Sequence, residues 1–413
     1  MSNMMNKAQG FGLSLITKIA GSEVLDQLKL RKFVEKSLYQ GSKTGFKVLN
    51  KTQKAFKPQA IDKQRLPNQV NKNLFDLSLT EEQQMTVDAM SQFAEEVLYA
   101  LAHDADHQAQ FPEQLWQHLV DLGLNYYALP EALGGVAAEQ NIVSNILIAE
   151  SLAKGDFSLT AGLLSTFSVI NAITRWGSTQ VQSMYLPVFA EDNDVTATFA
   201  FQEATPAFNP YQLKTTATEA NGQFYITGEK TLVILGGTAD VFLVSAEFNG
   251  QPDIFVVQCD ESISIKANPA MGLKAAETAT LQFNQTPALG LGDADFDYTA
   301  FVDLGNLMWC AMAIGTCEAI KAYCIKYANE RTAFGEPISH RQSVAFMISD
   351  MAIEIDAMRM LVLNAASLAE AGKPFHHEAY LARLLCAEKS MKMGTDGVQI
   401  LGGHGFTKEH PVE

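Results

Sequence analysis

The chain has 413 residues, 47% apolar and 18% charged, which predicts two or three packed units, because single cores stop growing at roughly 250 to 300 residues. A disordered or collagen-like chain is excluded by that composition. The net charge is -16, but residues 1–72 carry +10, from 14 Lys/Arg against Glu23, Asp26, Glu35 and Asp62, which leaves -26 on the rest; a body that acidic repels phosphate backbones and argues against nucleic acid as a partner.

Residues 1–73 are read as a basic amphipathic arm and linker. Leu15, Ile19, Leu25, Leu28 and Phe33 have helical spacing with lysines between them, and a Gln/Lys/Pro-rich stretch follows to about Asn73. No stretch reaches the roughly 18 apolar residues that span a bilayer, and the patch Phe11 to Ile19 is short and holds Lys18, so no cleavable signal is expected.

At Thr80 the run T-E-E-Q has the form of a capping box, in which Thr80 and Gln83 satisfy each other's backbone amides, so a helix starts there. Met90, Phe93, Val97 and Leu101 give it one apolar stripe. Further helical segments run to about Leu186, punctuated by Pro112, by Pro130 with Gly134 and Gly135, and by Gly177. Residues 74–193 form a helical domain on this reading. From Asp194 the period changes to two, with Val195, Ala197, Phe199 and Phe201 on one side. Asn221-Gly222 sits between two strand-like runs and signals a hairpin, since both residues tolerate positive φ. More strands are expected at Val241–Val244, Ile254–Val257 and Ala279–Phe283, making residues 194–297 a small β-domain. Helical spacing returns near Phe301 and includes Val344, Met347, Met351, Ile355 and Met358, so residues 298–413 read as a bundle of long helices. The fold class is α+β, with a β-domain between two helical units. There is no internal repeat and no GxGxxG.

Cys259, Cys310, Cys317, Cys324 and Cys386 are odd in number and form no CxxC, which suits a reducing compartment, the cytoplasm. Cys310, Cys317 and Cys324 recur every seven residues and share one helix face, a pattern of buried packing more than of metal ligation. His103 and His107 stand at i and i+4 with acids between them, yet without the glutamate of HExxH they read as a solvated helix end. His376, His377 and His404 read as loop or surface residues, and Met347, Met351, Met358 and Met360 as bundle core.

Six local patterns, in order, resemble the acyl-CoA dehydrogenase family over about Leu79 to Glu413. They are L-P-E-A-L-G-G at Leu129–Gly135, N-G-x-F-Y-I-T-G-E-K at Asn221–Lys230, G-G-T-A-D at Gly236–Asp240, M-G-L-K at Met271–Lys274, E-R-T-A-F-G at Glu330–Gly335 and Q-I-L-G-G-H-G-F at Gln399–Phe406. The resemblance implies a helical domain, a small β-domain and a C-terminal four-helix bundle. It also implies FAD-dependent α,β-desaturation of an acyl-CoA thioester, with electrons leaving through an electron-transfer-flavoprotein-like acceptor, and a homo-oligomer, dimer or tetramer. A carboxylate removes the α-proton in such enzymes, and burial beside the substrate raises its pKa.

Carried over position by position, Arg331, Phe334 and Gln342 match residues that hold the adenosine-diphosphate half of FAD from a neighbouring subunit. A guanidinium suits a pyrophosphate. The lesser reading of Arg331 is a charge answering a helix dipole. Gln399, Gly402 and Gly403 match the loop that approaches the same cofactor, although two glycines also read as an ordinary helix stop. On the flavin-ring side the resemblance places Phe201, Gln202, Phe208, Leu232 and Ile234. Here the chain departs from the family pattern, with Phe208 at a serine position and Leu232, Val233 and Ile234 where relatives read W-I-T.

In one branch of the family the base lies on the first bundle helix, and the matching position is Gly305, with Asn306 beside it. Asp303 is two residues away, about 200° around a helix, and is expected to point elsewhere. In the other branch the base follows some 25 residues after an H-P-V-E-like motif, which here is His410 to Glu413, so the bundle is expected to be incomplete and the base to lie beyond Glu413. The altered flavin face leaves two further readings: a non-catalytic or half-catalytic subunit of a hetero-oligomer, and an oxidase or monooxygenase on the same fold. The arm at residues 1–72 either contacts an anionic membrane surface or folds over the acidic body.

Overall fold

In a computed structural model, the chain divides into two units, Met1–Leu74 and Phe75–Glu413. The structure describes residues 78–135, 142–191, 195–293 and 295–412, all in the second unit. The basic arm lies outside the described residues.

The second unit opens as its sequence dictates. Thr80 Oγ1 accepts from Gln83 N and Thr80 N donates to Gln83 Oε1, both at 3.1 Å, starting α1 (Glu81–Phe93). A π-helical turn, Ala94–Leu98, leads into α2 (Tyr99–Gln108). Its extra residue per turn rotates the expected stripe, so Met90 is buried while Phe93, Val97 and Leu101 are half-buried. Three more helices follow Pro112: α3 (Gln114–Leu122), α4 (Ile142–Leu152) and α5 (Phe157–Trp176). Asp156 caps α5 by accepting from Leu159 N at 2.7 Å, and Gly177 ends it. The last helix of this unit, α6 (Thr179–Glu191), continues through Pro187.

Seven strands follow: β1 (Ala197–Ala200), β2 (Thr216–Ala220), β3 (Gln223–Val233), β4 (Val241–Phe248), β5 (Gln251–Gln258), β6 (Ile263–Ala267) and β7 (Ala279–Gly290). Asn221 and Gly222 turn β2 into β3 with φ of 54° and 77°, as expected of that dipeptide. Strand pairing runs β4, β2, β3, β7, β5 and back to β4, a closed ring that leaves few free edges. β1 adds to β4 in parallel, and β6 adds to β7.

The last part holds three long helices, α7 (Tyr298–Glu330), α8 (Gln342–Glu370) and α9 (His376–Leu401), with a small hairpin, β8 (Thr332–Ala333) and β9 (Glu336–Pro337), between the first two. The helix α4 packs against both α7 and α8. It approaches α7 at Gly315, where an added Cβ would stand 2.1 Å from the Glu150 carbonyl. Arg359 of α8 fixes that junction, with Nε 2.9 Å from Glu150 Oε1 and Nη2 2.9 Å from Glu318 Oε1. Cys310, Cys317 and Cys324 are buried on α7 as expected, as is Cys386 on α9, and all five cysteines are free thiols. Of the methionine run, Met351 and Met358 are core and Met347 is half-buried, but Met360 points outward at 44% exposure, one turn-fraction off the stripe. α5 and α7 are each long and apolar enough to cross a membrane, contrary to the expectation from the sequence. Both are core helices here, with 72% and 50% of the apolar window buried.

Candidate active site

A cavity of about 1120 Å³ lies between α5, the C-terminal end of β1, the Leu232–Ile234 segment and the first four turns of α7. Its wall is built from the residues that the local folds deliver. α5 turns Ala161, Leu164, Ser165, Ser168, Ala172 and Arg175 toward it, at helical spacing, and α7 turns Val302, Gly305, Met308, Trp309 and Met312. Phe201 joins an aromatic cluster at one end: its ring stacks on Tyr298 at 6.4 Å, Phe199 meets Phe301 at 5.7 Å, and Trp176 meets Phe301 at 5.2 Å.

Four of the five expected ring-side residues, Phe201, Gln202, Leu232 and Ile234, line this cavity. Phe208 does not: it stands behind Phe201, edge-on at 6.1 Å, because Ala207 turns the chain away with φ of 53°. Val233 points into the β-domain core, buried to 1%, since alternate residues of a strand face opposite ways. Leu232 has φ of 54°, a conformation that strains any residue with a Cβ and that clusters at functional sites.

The strand end bearing Phe201 and Gln202 is held by a group that the sequence reading passed over. Lys230 Nζ, fully buried, lies 2.9 Å from Glu203 Oε1, 2.9 Å from Ser245 Oγ and 3.2 Å from the Phe201 carbonyl. Ser245 Oγ also donates to the Phe201 carbonyl at 3.0 Å, and Thr231 N donates to the Gln202 carbonyl at 2.8 Å. Burial pushes the Lys230 ammonium down to about 8, against the pull of Glu203. Burial would raise the Glu203 carboxyl, but hydrogen bonds from Thr215 N, Lys230 and Lys214 N outweigh it and hold the group below its ordinary range. Lys230 closes the N-G-x-F-Y-I-T-G-E-K motif, which was the available signal, whereas Glu203 lies in none of the six patterns.

The other expected group lies elsewhere. None of Arg331, Phe334, Gln342, Gln399, Gly402 and Gly403 lines the cavity, and all are exposed at one end of the helical bundle. Tyr327 ties two of their segments: its carbonyl accepts from Arg331 N at 2.8 Å, and its hydroxyl donates to the carbonyl of Leu401, next to Gly402, at 3.3 Å. Phe334 is 96% exposed at φ of 54°, with the Arg341 guanidinium 5.5 Å from its ring centre. Arg331 caps the C-terminus of α7, so the dipole reading describes its position as well. Gly402 has φ of 63° at the end of α9, the conformation that favours glycine.

Gly305 and Asn306 both line the cavity, as expected of the base position. Asp303 points away, as expected: its buried carboxylate lies 2.7 Å from His376 Nδ1, and burial raises its pKa while His376 opposes the shift. His376 is therefore no simple surface residue; it begins α9 and ties α9 to α7 with its ring largely exposed. His404 is exposed but bonded to the Tyr327 hydroxyl at 2.7 Å and stacked on His410 at 5.3 Å. Exposed His103 and His107 end α2, and among the described residues no cluster of His, Cys, Asp and Glu suits a metal ion. Glu131, exposed, is the one carboxylate among the described residues that line the cavity.

A helical unit, a closed β unit and a helical bundle enclosing one large, mostly apolar cavity define a small-molecule site more readily than a macromolecular one. Three family models match in sequence order: acyl-CoA dehydrogenase N-terminal domain at residues 80–193, middle domain at 198–286 and C-terminal domain at 298–413. The chain belongs to the acyl-CoA dehydrogenase family. It is 30% identical over 353 residues to an acyl-CoA dehydrogenase of Bacillus subtilis (strain 168), covering 82% of this chain and 92% of that one. The solved butyryl-CoA dehydrogenase of Megasphaera elsdenii superposes with a TM-score of 0.74 at 28% identity, covering 82% and 92%. A chain from a solved structure of the electron transferring flavoprotein of Acidaminococcus fermentans gives 0.74 at 29% identity, with the same coverage.

Proposed function

We propose that the chain is an FAD-dependent acyl-CoA dehydrogenase that desaturates the α,β-bond of an acyl-CoA thioester. The observation that carries this reading is the cavity itself, in which the ring-side residues and the base position Gly305 line one space. FAD, when bound, supplies the acceptor for the β-hydride. The residues fit it: Leu232 and Ile234 give an aliphatic face, Phe201 and Gln202 a polar strand edge whose carbonyls are already engaged, and Arg331 an exposed cation for a pyrophosphate.

This chain's own contribution is position and dryness. The Lys230–Glu203 pair fixes the Phe201–Gln202 edge, and the aromatic cluster of Trp176, Phe199, Phe201 and Phe301 keeps water from that end. Trp309 and Met312 give the acyl group apolar cover on α7. The test is anaerobic titration of FAD-loaded protein with an acyl-CoA. The flavin band should bleach, slowly, since the cavity wall offers no dry carboxylate. Protein that stays colourless in excess FAD would instead support the partner-subunit reading.

Electrons pass to an electron-transferring flavoprotein on this reading, supported by the likeness to the Acidaminococcus fermentans chain. The assembly is a homo-oligomer, supported by the exposed Arg331–Phe334 cluster, which lies off the cavity of its own chain. We place it in the cytoplasm, which free thiols suit, with residues 1–72 at an anionic membrane surface. Vesicle co-sedimentation with and without those residues tests the last point; equal pelleting of both forms, or indifference to salt, would remove it.

A further inference from the structure

Gly305 is a notch in the α7 wall. Its neighbours on the cavity side, Val302, Met308 and Trp309, are large, whereas a Cβ built at Gly305 meets nothing within 4 Å. Ten residues on, Gly315 differs: a Cβ there would stand 2.1 Å from the Glu150 carbonyl, so helix packing explains that glycine. Among the described residues, nothing in the packing requires a glycine at 305. The space it leaves faces the cavity.

Resting on the acyl-CoA reading above, we propose that Gly305 is a specificity-determining residue that seats a branch, a methyl group or ring carbon, on the α-carbon of the acyl group. The position is the one from which a family branch reaches the α-proton, so a group attached to that carbon is within reach of the notch. Of the cavity-lining residues around it on the helix, Val302, Leu304, Met308 and Trp309 are apolar and complement a hydrocarbon branch, and Asn306 is the polar one. An unbranched chain would leave the notch lined but unfilled, losing the contacts that a close-packed wall makes.

The test uses FAD-loaded protein and two thioesters at the product oxidation level, which bind without proton removal: crotonyl-CoA and its 2-methyl homologue, tiglyl-CoA. Affinities are read by calorimetry for the natural chain and for Gly305→Ala. Alanine is the better helix former, so the variant keeps its fold. The expected result is that the ratio of dissociation constants, branched over unbranched, rises roughly 10- to 200-fold in the variant, the worth of one methyl group in a fitted pocket. A ratio within about twofold of the natural chain's overturns the proposal, since a methylene-sized change in a fitted pocket exceeds that. Failure of the natural chain to bind either ester overturns the acyl-CoA reading itself, a result distinct from equal binding of both.

Discussion

Lys230 shows how one buried residue can shape a site that it does not touch. Its ammonium is fully buried and bonds Glu203, Ser245 and the Phe201 carbonyl, and so fixes the strand end at the cavity. Lys230→Met should cost about 3–5 kcal/mol in urea unfolding, because Glu203 is left buried without its counter-ion. Loss of less than about 1 kcal/mol would mean that Glu203 relaxes to water or takes up a proton cheaply. The pH dependence has a definite sign. The folded-state pKa of Glu203 is depressed, so its contribution is complete above the unfolded value of about 4.3 and is lost as pH falls through the lower folded value. Glu203→Gln should therefore flatten the fall of unfolding free energy between about pH 5 and pH 3, and an unchanged slope would assign that fall to other carboxylates. The sequence shows both letters but not the pair: they are 27 positions apart, and only the placement of β1 beside β3 brings them together. Gly305 was legible in the opposite way, from the resemblance, and the structure adds that its side of α7 is open. Gly305→Glu should speed flavin reduction by acyl-CoA roughly 10²- to 10⁴-fold, the usual worth of a positioned base; stopped-flow spectra decide it, and an unaccelerated, flavin-loaded variant would show that a carboxylate here does not reach the α-proton.

At the scale of elements, α7 carries two glycines with opposite consequences. Gly305 has open space around its missing side chain, and Gly315 has the Glu150 carbonyl against it. Gly305→Ala should stabilise the protein by about 0.5–1 kcal/mol through helix propensity alone. Gly315→Ala should destabilise it by about 1–3 kcal/mol, because α4 and α7 must move apart. Thermal unfolding of the two variants side by side checks this, and shifts of the same sign would contradict the packing at Glu150. What was legible among the elements was local. The Thr80 box and the Asn221-Gly222 turn each act within four residues, and both are found where the sequence places them. β6 escaped notice because Ser264, Lys266 and Ala267 face water and only Ile263 is buried, so its alternation is weak; it exists by pairing with β7. The π-turn at Ala94–Leu98 and the closing of the β-ring through β4 and β5 have no short-range signature at all. The packing of α4 onto α7 and α8 likewise joins segments more than 150 residues apart, which periodicity in one helix cannot announce.

For the molecule as a whole, the candidate cofactor residues form two groups that one chain does not bring to one space. Phe201, Gln202, Leu232 and Ile234 line the cavity, while Arg331, Phe334, Gln342, Gln399, Gly402 and Gly403 lie exposed at the end of the bundle. On the homo-oligomer proposed above, a dinucleotide that uses both groups takes them from two copies. The bundle surface has the means to associate: Phe346, Ile353 and Met360 recur every seven residues on α8 at 58%, 66% and 44% exposure, and Tyr380, Leu384 and Met391 stand out on α9. Apolar stripes of this kind are uncommon on a free surface and mark contact sites. Assembly and FAD retention should therefore be linked. Arg331→Ala should weaken FAD binding about 10- to 150-fold, through loss of a charge-assisted bond to pyrophosphate worth about 1.5–3 kcal/mol, without changing the oligomer. Ile353→Lys places a charge in the α8 stripe and should yield monomers that release FAD although Arg331 is intact. Sedimentation velocity with simultaneous flavin absorbance separates the two effects. In the natural chain, dilution below the assembly constant should release FAD over the same concentration range in which the oligomer dissociates. A monomer that keeps its yellow colour would place both halves of the cofactor on one chain, and the exposed end of the bundle would then need a different ligand to explain Arg331 and Phe334.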